Sequence, residues 1–197
     1  RDRQYNADDQ KKYLDFIRNL LKDKAYVALA YMTGILPIKK YGTHSALNMF
    51  DEYSMTRPFE YAQFIGFTEP EVKALCAKYQ VDFDTMKSWY DGYTFPEVGH
   101  IYNPKSVVDS IRRKSFGSYW TQTETYEALK IYIDLNYDGL KDAVVQMLAG
   151  GRVGINPERF QNDMTTFSSK DDVLTLLVHL GYLAFDSEHS EVFISKA

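Results

Sequence analysis

Two glycine-containing stretches carry basic residues that could meet phosphate groups. They read GILPIKK at residues 34–40 and GGRVGIN at residues 150–156. A phosphate-binding loop needs several glycines, so that backbone N–H groups can approach the phosphates, and then a lysine to meet their charge. Neither stretch has that spacing, and no apolar strand ends in the paired acids that would hold Mg²⁺. The sequence therefore predicts that this chain cannot assemble a complete P-loop NTPase site by itself.

Nuclease and metal chemistry are also not favoured. The tripeptide EVK at residues 71–73 has the residue types of a PD-(D/E)xK nuclease, but it stands at the start of a capped helix, where the helix dipole favours acids. The histidines are far apart in the sequence, at His44, His100, His179 and His189. Because none is paired at ligand spacing, we expect no metal site. His179 lies on an apolar helix and is expected to be a core or edge residue.

The charge and cysteine content exclude some functions. The net charge of −4 gives no general attraction to nucleic acid or to an anionic membrane. The basic run IRRK at residues 111–114 ends a predicted helix, where the dipole favours cations, and a phosphate or nucleic-acid contact is the alternative. Cys76 is the only cysteine, which excludes an internal disulfide, and its apolar helix stripe predicts a core position. No apolar run reaches membrane-spanning length, and we expect a cytoplasmic protein.

The N-terminal part reads as a helix followed by a buried strand. Residues 9–22 have helical periodicity, and the run AYVALAYM at residues 25–32 is typical of a strand that is buried on both faces. Thr33 and Gly34 follow this run. Such a strand belongs in a sheet between helices, yet the rest of the chain offers no second run of this kind.

The middle of the chain carries clear helix signals. Thr68 and Glu71 have capping-box spacing, and Asn103 with Pro104 predicts another helix start. The stretch VDFDTMKSWYDGY at residues 81–93 predicts a short helix that ends at Gly92, which suits a left-handed helix stop. Trp89 is expected to pack in the core, and a recognition role for the aromatic run WYDGY is the alternative. Two further helices are predicted over 123–135 and 137–151. The last of these should bury Leu140, Ala143, Val144, Met147 and Leu148.

The tail combines a helix with a hairpin. The helix is predicted to start at Ser168, with Asp171 at the capping-box position, and to bury Val173, Leu176, Leu177 and Leu180. Residues 182–195 alternate on either side of a polar turn, which predicts a β-hairpin. A helix followed by a hairpin is typical of the end of a winged-helix module.

Several separated motifs, in a fixed order, resemble one bacterial family. They are YMTGILPIKKYGTHSALNMFDEYSM, GFTEPEVKAL, WYDGY, YNPKSVV and SKDDVLTLLVHLGYL, and together they extend over nearly the whole chain. These motifs resemble the predicted AAA-ATPase-like proteins, which are similar to archaeal-type P-loop ATPases and are often followed by a PD-(D/E)xK nuclease-like domain. The resemblance implies that the chain starts just after the Walker B acids, so that the partners of the 25–32 strand lie in a preceding ATPase segment. The missing initiator Met agrees with this expectation.

The resemblance implies an α+β, predominantly helical chain in three parts. Residues 1–57 would be the C-terminal end of a P-loop ATPase core, with the helix and the terminal buried strand. Residues 58–150 would form a helical lid, and residues 151–197 a small winged-helix-like module. The expected partners are the N-terminal ATPase segment and the downstream nuclease-like domain of the same protein.

The resemblance also implies site residues. Thr33 and Gly34 fall at the carboxyl end of the strand, where ligands bind in doubly wound sheets, and Thr33 would act as a polar sensor beside the γ-phosphate. Lys39 and Lys40 would approach phosphate oxygens as cations. The alternative is that Thr33 only satisfies loop backbone and that the lysines are solvated. ATP and Mg²⁺ would be bound by the intact protein, and this chain, with no cofactor of its own, would be catalytically incomplete.

Two functions follow from the sequence. The first is a sensor and lid fragment that couples the nucleotide state of the ATPase to a neighbouring domain. The second is a binding module that uses the winged-helix-like tail to contact protein or nucleic acid. The acidic turn DSEHSE at residues 186–191 counts against nucleic acid, because DNA contacts profit from cations.

Overall fold

The computed structural model describes residues 7–34, 49–117, 136–160 and 167–195 of the 197-residue chain. The chain divides into a first unit, residues 1–52, and a second unit, residues 53–197. The architecture is α+β, as expected. None of the described helices combines the length and the apolar character needed to cross a membrane.

The described residues contain six α-helices, three 3-10 turns and six strands. The helices are α1 (Ala7–Leu21), α2 (Glu69–Tyr79), α3 (Phe83–Tyr90), α4 (Pro104–Arg113), α5 (Leu140–Leu148) and α6 (Lys170–His179). The 3-10 turns cover Phe59–Phe64, Tyr137–Gly139 and Pro157–Arg159. The strands are β1 (Phe67–Thr68), β2 (Asp91–Phe95), β3 (Gly99–Tyr102), β4 (Val153–Gly154), β5 (Ala184–Asp186) and β6 (Glu191–Phe193).

The first unit contains α1 but not the predicted strand. Residues 22–34 form neither helix nor strand, and the side chains of Tyr26, Leu29 and Tyr31 are 71%, 87% and 87% exposed. The prediction of a strand buried on both faces over 25–32 is therefore wrong for the described structure. A strand needs neighbours for its backbone N–H and C=O groups, and no described strand pairs with these residues.

A six-stranded mixed sheet organises the second unit. Its order is β1-β3-β2-β5-β6-β4, and all neighbours are antiparallel except β2 and β5. The parallel contact aligns Tyr93 with Phe185 and Thr94 with Asp186. Strands from before and after residue 150 thus share one sheet, although the sequence places a lid boundary there; the boundaries at 57 and 150 stay predictions.

The β2–β3 hairpin was not predicted. Its tight turn is closed by a hydrogen bond from the Val98 N–H to the Phe95 carbonyl, and Gly99 takes a φ of +73°, which suits glycine. The helix expected to end at Gly92 ends at Tyr90 instead. The predicted left-handed stop at Gly92 is therefore wrong, because the chain becomes extended at Asp91 and pairs with Tyr102.

One face of the hairpin meets α2, α3 and α4 in an apolar core. This core contains Val72, Cys76, Met86, Tyr90, Tyr102 and Val107. Cys76 is 2% exposed, which confirms its predicted core position. Trp89 packs against the same cluster. The helices begin as predicted, with the Thr68–Glu71 capping box on α2 and the Asn103 cap with Pro104 on α4.

The last two described helices, α5 and α6, follow the predictions with local differences. The cap of α6 is Ser169 with Asp172, one residue later than predicted, although Ser168 also donates to the Asp172 carboxylate. Leu177 and Leu180 are half-buried rather than buried. In α5, Leu148 is 70% exposed, which makes its predicted burial wrong. The predicted helix over 123–135 lies outside the described residues.

A glycine ends α6 and leads into the predicted hairpin. Gly181 has a φ of +78°, and the N–H groups of Gly181 and Tyr182 donate to the carbonyls of Val178 and Leu177. This is a Schellman motif, which satisfies carbonyls that the helix leaves unpaired. The chain then enters β5 and returns as β6, so the predicted hairpin within 182–195 is confirmed.

Substitution of the core of α6 should destabilise the whole second unit. Leu176 is 0% exposed, so Leu176→Ala should lower the free energy of unfolding by about 2–5 kcal/mol through lost burial and the cavity it leaves. The matched control is Leu148→Ala, at a 70% exposed position, which should change it by less than about 0.5 kcal/mol. Urea unfolding followed by circular dichroism measures both, and equal effects would contradict the assigned core.

Candidate functional site

The residues predicted to meet nucleotide are only partly described. Thr33 and Gly34 are solvent-exposed at the end of the first described stretch. Lys39 and Lys40 lie outside the described residues. The nucleotide role of these four residues stays a prediction.

A different polar site is built in the second unit, around the start of α2. The Thr68 N–H donates to the Glu71 carboxylate at 2.8 Å, which closes the capping box. Glu71 is thus a helix-start acid, as the sequence indicated. This cap fixes the first turn of α2, and so it positions Glu69, the first residue of the helix.

Glu69 joins two helices to the sheet. One carboxylate oxygen lies 2.7 Å from the Lys73 ammonium, and the other lies 2.7 Å from the Lys87 ammonium of α3. The Tyr102 hydroxyl, on β3, donates to the second oxygen at 3.2 Å. A single carboxylate therefore contacts α2, α3 and β3 at once.

An aspartate–histidine pair lies on the neighbouring strands. The Nδ1 atom of His100 on β3 is 2.7 Å from a carboxylate oxygen of Asp91 on β2. The two side chains lie within hydrogen-bond distance, and the contact is an ion pair only when the imidazole is protonated. The Asp91 side chain is 21% exposed and that of His100 is 39% exposed.

Opposing physical effects set the charges of this site. The Lys73 ammonium group, and to a smaller extent that of Lys87, lowers the pKa of Glu69 to about 2. Burial of the carboxylate acts in the opposite direction and raises this pKa. Burial raises the pKa of Asp91, and the neighbouring His100 opposes that rise. Burial, followed by the charges of Asp91 and Glu69, raises the pKa of Tyr102 above its usual range. Tyr102 therefore stays a neutral hydrogen-bond donor.

The site is suited to bracing rather than to metal chemistry. In residues 7–34, 49–117, 136–160 and 167–195, no group of three or more His, Cys, Asp or Glu side chains could hold a metal ion. Both oxygens of Glu69 are already engaged, one by Lys73 and the other by Lys87 and Tyr102. The arrangement locks the starts of α2 and β2 and the ends of α3 and β3 together.

A second polar feature is an open groove of about 450 Å³. Its walls include Thr56 and Arg57 on one side and Asn156 and Glu158 on the other. The Arg57 guanidinium lies 2.5 Å from the Glu158 carboxylate, and the two side chains are 55% and 66% exposed. An ion pair that is this exposed contributes little to stability, but it connects segments that are 101 residues apart.

The β5–β6 turn is organised by a buried aspartate. Asp186 accepts a hydrogen bond from Arg152 at 2.8 Å and others from the backbone N–H groups of Glu188 and His189. Burial opposes its ionisation, but the contacts with His189 and Arg152 outweigh burial and lower the pKa of Asp186. The same pairing raises the pKa of His189.

Sequence reasoning found some of these residues and missed others. His179 is 9% exposed, which confirms its predicted core position, and burial lowers its pKa to about 4. The contacts of Glu69, Asp91, His100 and Tyr102 were missed because the β2–β3 hairpin was missed. The available signal was the alternation of Tyr93 and Phe95 before the turn at Gly99.

Comparison with known proteins gives a partial match to a longer relative. No family model and no solved structure matches the chain. The chain is 32% identical over 117 residues to a protein of Azotobacter chroococcum mcd 1 that is named "Uncharacterized protein in vnfD 5'region". The match covers 56% of this chain and 22% of the relative. The chain therefore spans about a fifth of the length of this relative, whose name states no activity.

Loss of the Glu69 charge should destabilise the second unit in a pH-dependent way. The pKa of Glu69 in the folded chain is about 2, below its ordinary value of 4.5, so its contribution is present above pH 4.5 and is lost as the pH falls toward 2. Glu69→Gln should therefore cost about 1–2 kcal/mol at pH 7, after allowance for solvent screening, and less at pH 3. Urea unfolding at both pH values measures this.

The matched control is Glu97→Gln, on the exposed β2–β3 turn. This substitution should change the free energy of unfolding very little at both pH values. A Glu69→Gln cost that is the same at pH 3 and at pH 7 would show that the carboxylate charge does not brace the helices.

Proposed function

We propose that this chain is the sensor and lid portion of an AAA-like ATPase and couples nucleotide state to a neighbouring domain. The observation that carries the proposal is the apolar segment at residues 25–34. Leu29 and Tyr31 are both 87% exposed, and large apolar side chains on one short stretch commonly mark a surface that another element covers. A preceding ATPase segment would cover them with its own strands.

The sequence motifs support this proposal. They resemble those of the AAA-ATPase-like family and occur in the same order over nearly the whole chain. The relative is much longer than the matched region, which amounts to 22% of it, so this stretch can belong to a larger architecture. In such a protein, the Thr33 hydroxyl would meet the γ-phosphate or the attacking water, while Lys39 and Lys40 would offset phosphate charge.

The sequence lacks a Walker A loop, which would bind the nucleotide phosphates. Binding of ATP and Mg²⁺ is therefore assigned to other parts of the intact protein. The role of this chain would be to respond to the bound nucleotide.

The second unit is suited to transmitting such a response. Its sheet joins strands between Phe67 and Phe193, so a displacement that reaches residue 53 along the chain would move these strands together. The brace of Glu69, Lys73 and Lys87 would carry α2 and α3 along with the sheet. The downstream nuclease-like domain is the proposed recipient.

The alternative function is a binding module based on the tail. The order of α6, β5 and β6 favours this alternative, because a helix followed by a hairpin is how a winged-helix module ends. Glu188 and Glu191 stand in or beside the turn of that hairpin, and their charge favours a protein partner over nucleic acid.

Replacement of Thr33 in the intact protein tests the proposed function. Thr33→Val keeps the shape and β-branching of the side chain but removes its hydroxyl. We expect ATP hydrolysis to slow by a factor that corresponds to about 2–4 kcal/mol of barrier, by analogy with loss of one preorganised donor. ATP affinity and the thermal midpoint should change little. Steady-state phosphate release and calorimetric titration measure these quantities.

Two controls make this experiment specific. Thr33→Ser keeps a hydroxyl and should retain most of the activity, and Thr56→Val makes the same change at a threonine that has no proposed nucleotide role. The 197-residue chain by itself should show no turnover. If Thr33→Val hydrolyses ATP at the rate of the unmodified protein, Thr33 only satisfies loop backbone. If the full-length protein does not hydrolyse ATP at all, the enzyme proposal is wrong.

A further inference from the structure

Three aromatic side chains and one carboxylate form an exposed corner at the start of the second unit. We refer to Tyr53, Phe59, Glu60 and Tyr61 as the aromatic corner. The rings of Tyr53 and Tyr61 are perpendicular, with centroids 4.5 Å apart, and the rings of Tyr53 and Phe59 meet at 81° with centroids 6.2 Å apart. The three rings are 42%, 55% and 46% exposed in chain order.

The backbone holds the corner in place from both sides. Ser54 and Arg57 exchange backbone hydrogen bonds of 3.2 and 3.1 Å, which turn the chain so that Tyr53 comes back beside the 3-10 turn. Pro58 and Ala62 are buried beneath that turn, while Phe59, Glu60 and Tyr61 face solvent. These backbone hydrogen bonds and the buried Pro58 and Ala62 fix the backbone that carries the corner.

Phe59 adds a second, independent observation. Its φ is +48°, in the left-handed region. This conformation costs free energy for a residue with a bulky side chain, and such residues cluster at functional positions. The strained backbone leaves the Phe59 ring 55% exposed rather than buried. Packing of the core does not explain why an apolar ring is held in this way.

The chemistry of the corner selects a cation. Aromatic faces carry negative electrostatic potential and attract ammonium and guanidinium groups. Elsewhere in the described residues this chain uses such contacts itself: Lys73 lies 5.0 Å from the Phe83 ring centroid, and Arg152 lies 4.3 Å from that of Phe193. In the corner, Glu60 adds a full negative charge, and one of its oxygens accepts a hydrogen bond from the Tyr53 hydroxyl at 3.0 Å.

We propose that the aromatic corner of Tyr53, Phe59, Glu60 and Tyr61 binds an alkylated ammonium cation. The rings would contact the methyl groups, and the second Glu60 oxygen would face the charge. A phosphate or a nucleic-acid backbone is disfavoured by the same carboxylate. A simple apolar ligand would not use that charge. The site is separate from the proposed nucleotide response, and its test does not depend on ATP.

The test compares choline with its neutral isostere, in which a tert-butyl group replaces the trimethylammonium group. Both are titrated into the 197-residue chain at constant ionic strength, and aromatic ring resonances are followed by NMR. We expect saturable shifts at Phe59 and Tyr61, with choline bound about three-fold or more tightly than the isostere. Equal affinities would overturn the proposal, as would the absence of saturable shifts with choline.

Variants make the assignment residue-specific. Glu60→Gln, a surface change that leaves the rings in place, should weaken choline binding and leave isostere binding unchanged, and Tyr61→Leu should abolish the preference for choline. The control is Tyr79→Leu, since Tyr79 is 42% exposed like Tyr53, and it should change neither affinity. Unchanged choline binding in both corner variants would overturn the proposal.

A further arm identifies the source of the cation. A glycine- and serine-rich peptide with one trimethyllysine is compared with choline and with the same peptide carrying unmodified lysine. Tighter binding of the trimethyllysine peptide than of choline would support the site and identify a protein side chain as the ligand. Equal binding of this peptide and choline would support the site for a free cation. If the unmodified peptide binds as tightly as the trimethyllysine peptide, the site does not require an alkylated cation and the proposal is overturned.

Discussion

The parallel pairing of β2 with β5 is the contact on which the second unit depends. It aligns Tyr93 with Phe185 and Thr94 with Asp186, and the Ser187 N–H extends it with a bond to the Thr94 carbonyl. Without it, the sheet would fall into two antiparallel pieces of three strands, β1-β3-β2 and β5-β6-β4. Tyr93 and Phe185 at this contact are 5% and 2% exposed, so its loss would expose apolar surface on both pieces.

A buried hydroxyl reinforces this contact. The Tyr93 hydroxyl donates to the Val178 carbonyl at 3.0 Å across the interior. Its acceptor lies near the end of α6 and also accepts the bond from the Gly181 N–H. Burial raises the pKa of Tyr93 above its usual range, so the hydroxyl keeps its proton. Both polar sites are attached to the sheet. Glu69 connects helices to β3, and Asp186 organises the turn after β5.

Local signals made most helices predictable, whereas the sheet required distant contacts. The Thr68–Glu71 cap and the Asn103–Pro104 start lie within a few residues of the helices that they begin, and both were confirmed. Strands of two to five residues carry too little periodicity to compete with neighbouring helix signals. The strand prediction for 25–32 rested on apolar composition alone, which cannot supply the neighbours that a strand needs. The candidate polar site was hidden for the same reason, since Asp91 and His100 meet only through β2–β3 pairing.

Residues on both sides of position 150 should unfold together because they share one sheet. Native-state hydrogen exchange across a series of low denaturant concentrations measures this directly, through the free energy and denaturant slope of opening for each amide. We expect the protected amides of β2 and β3 and those of β5 and β6 to share one free energy of opening and one denaturant slope. Two separate free energies, with the β5–β6 hairpin opening while β2 and β3 stay protected, would contradict it.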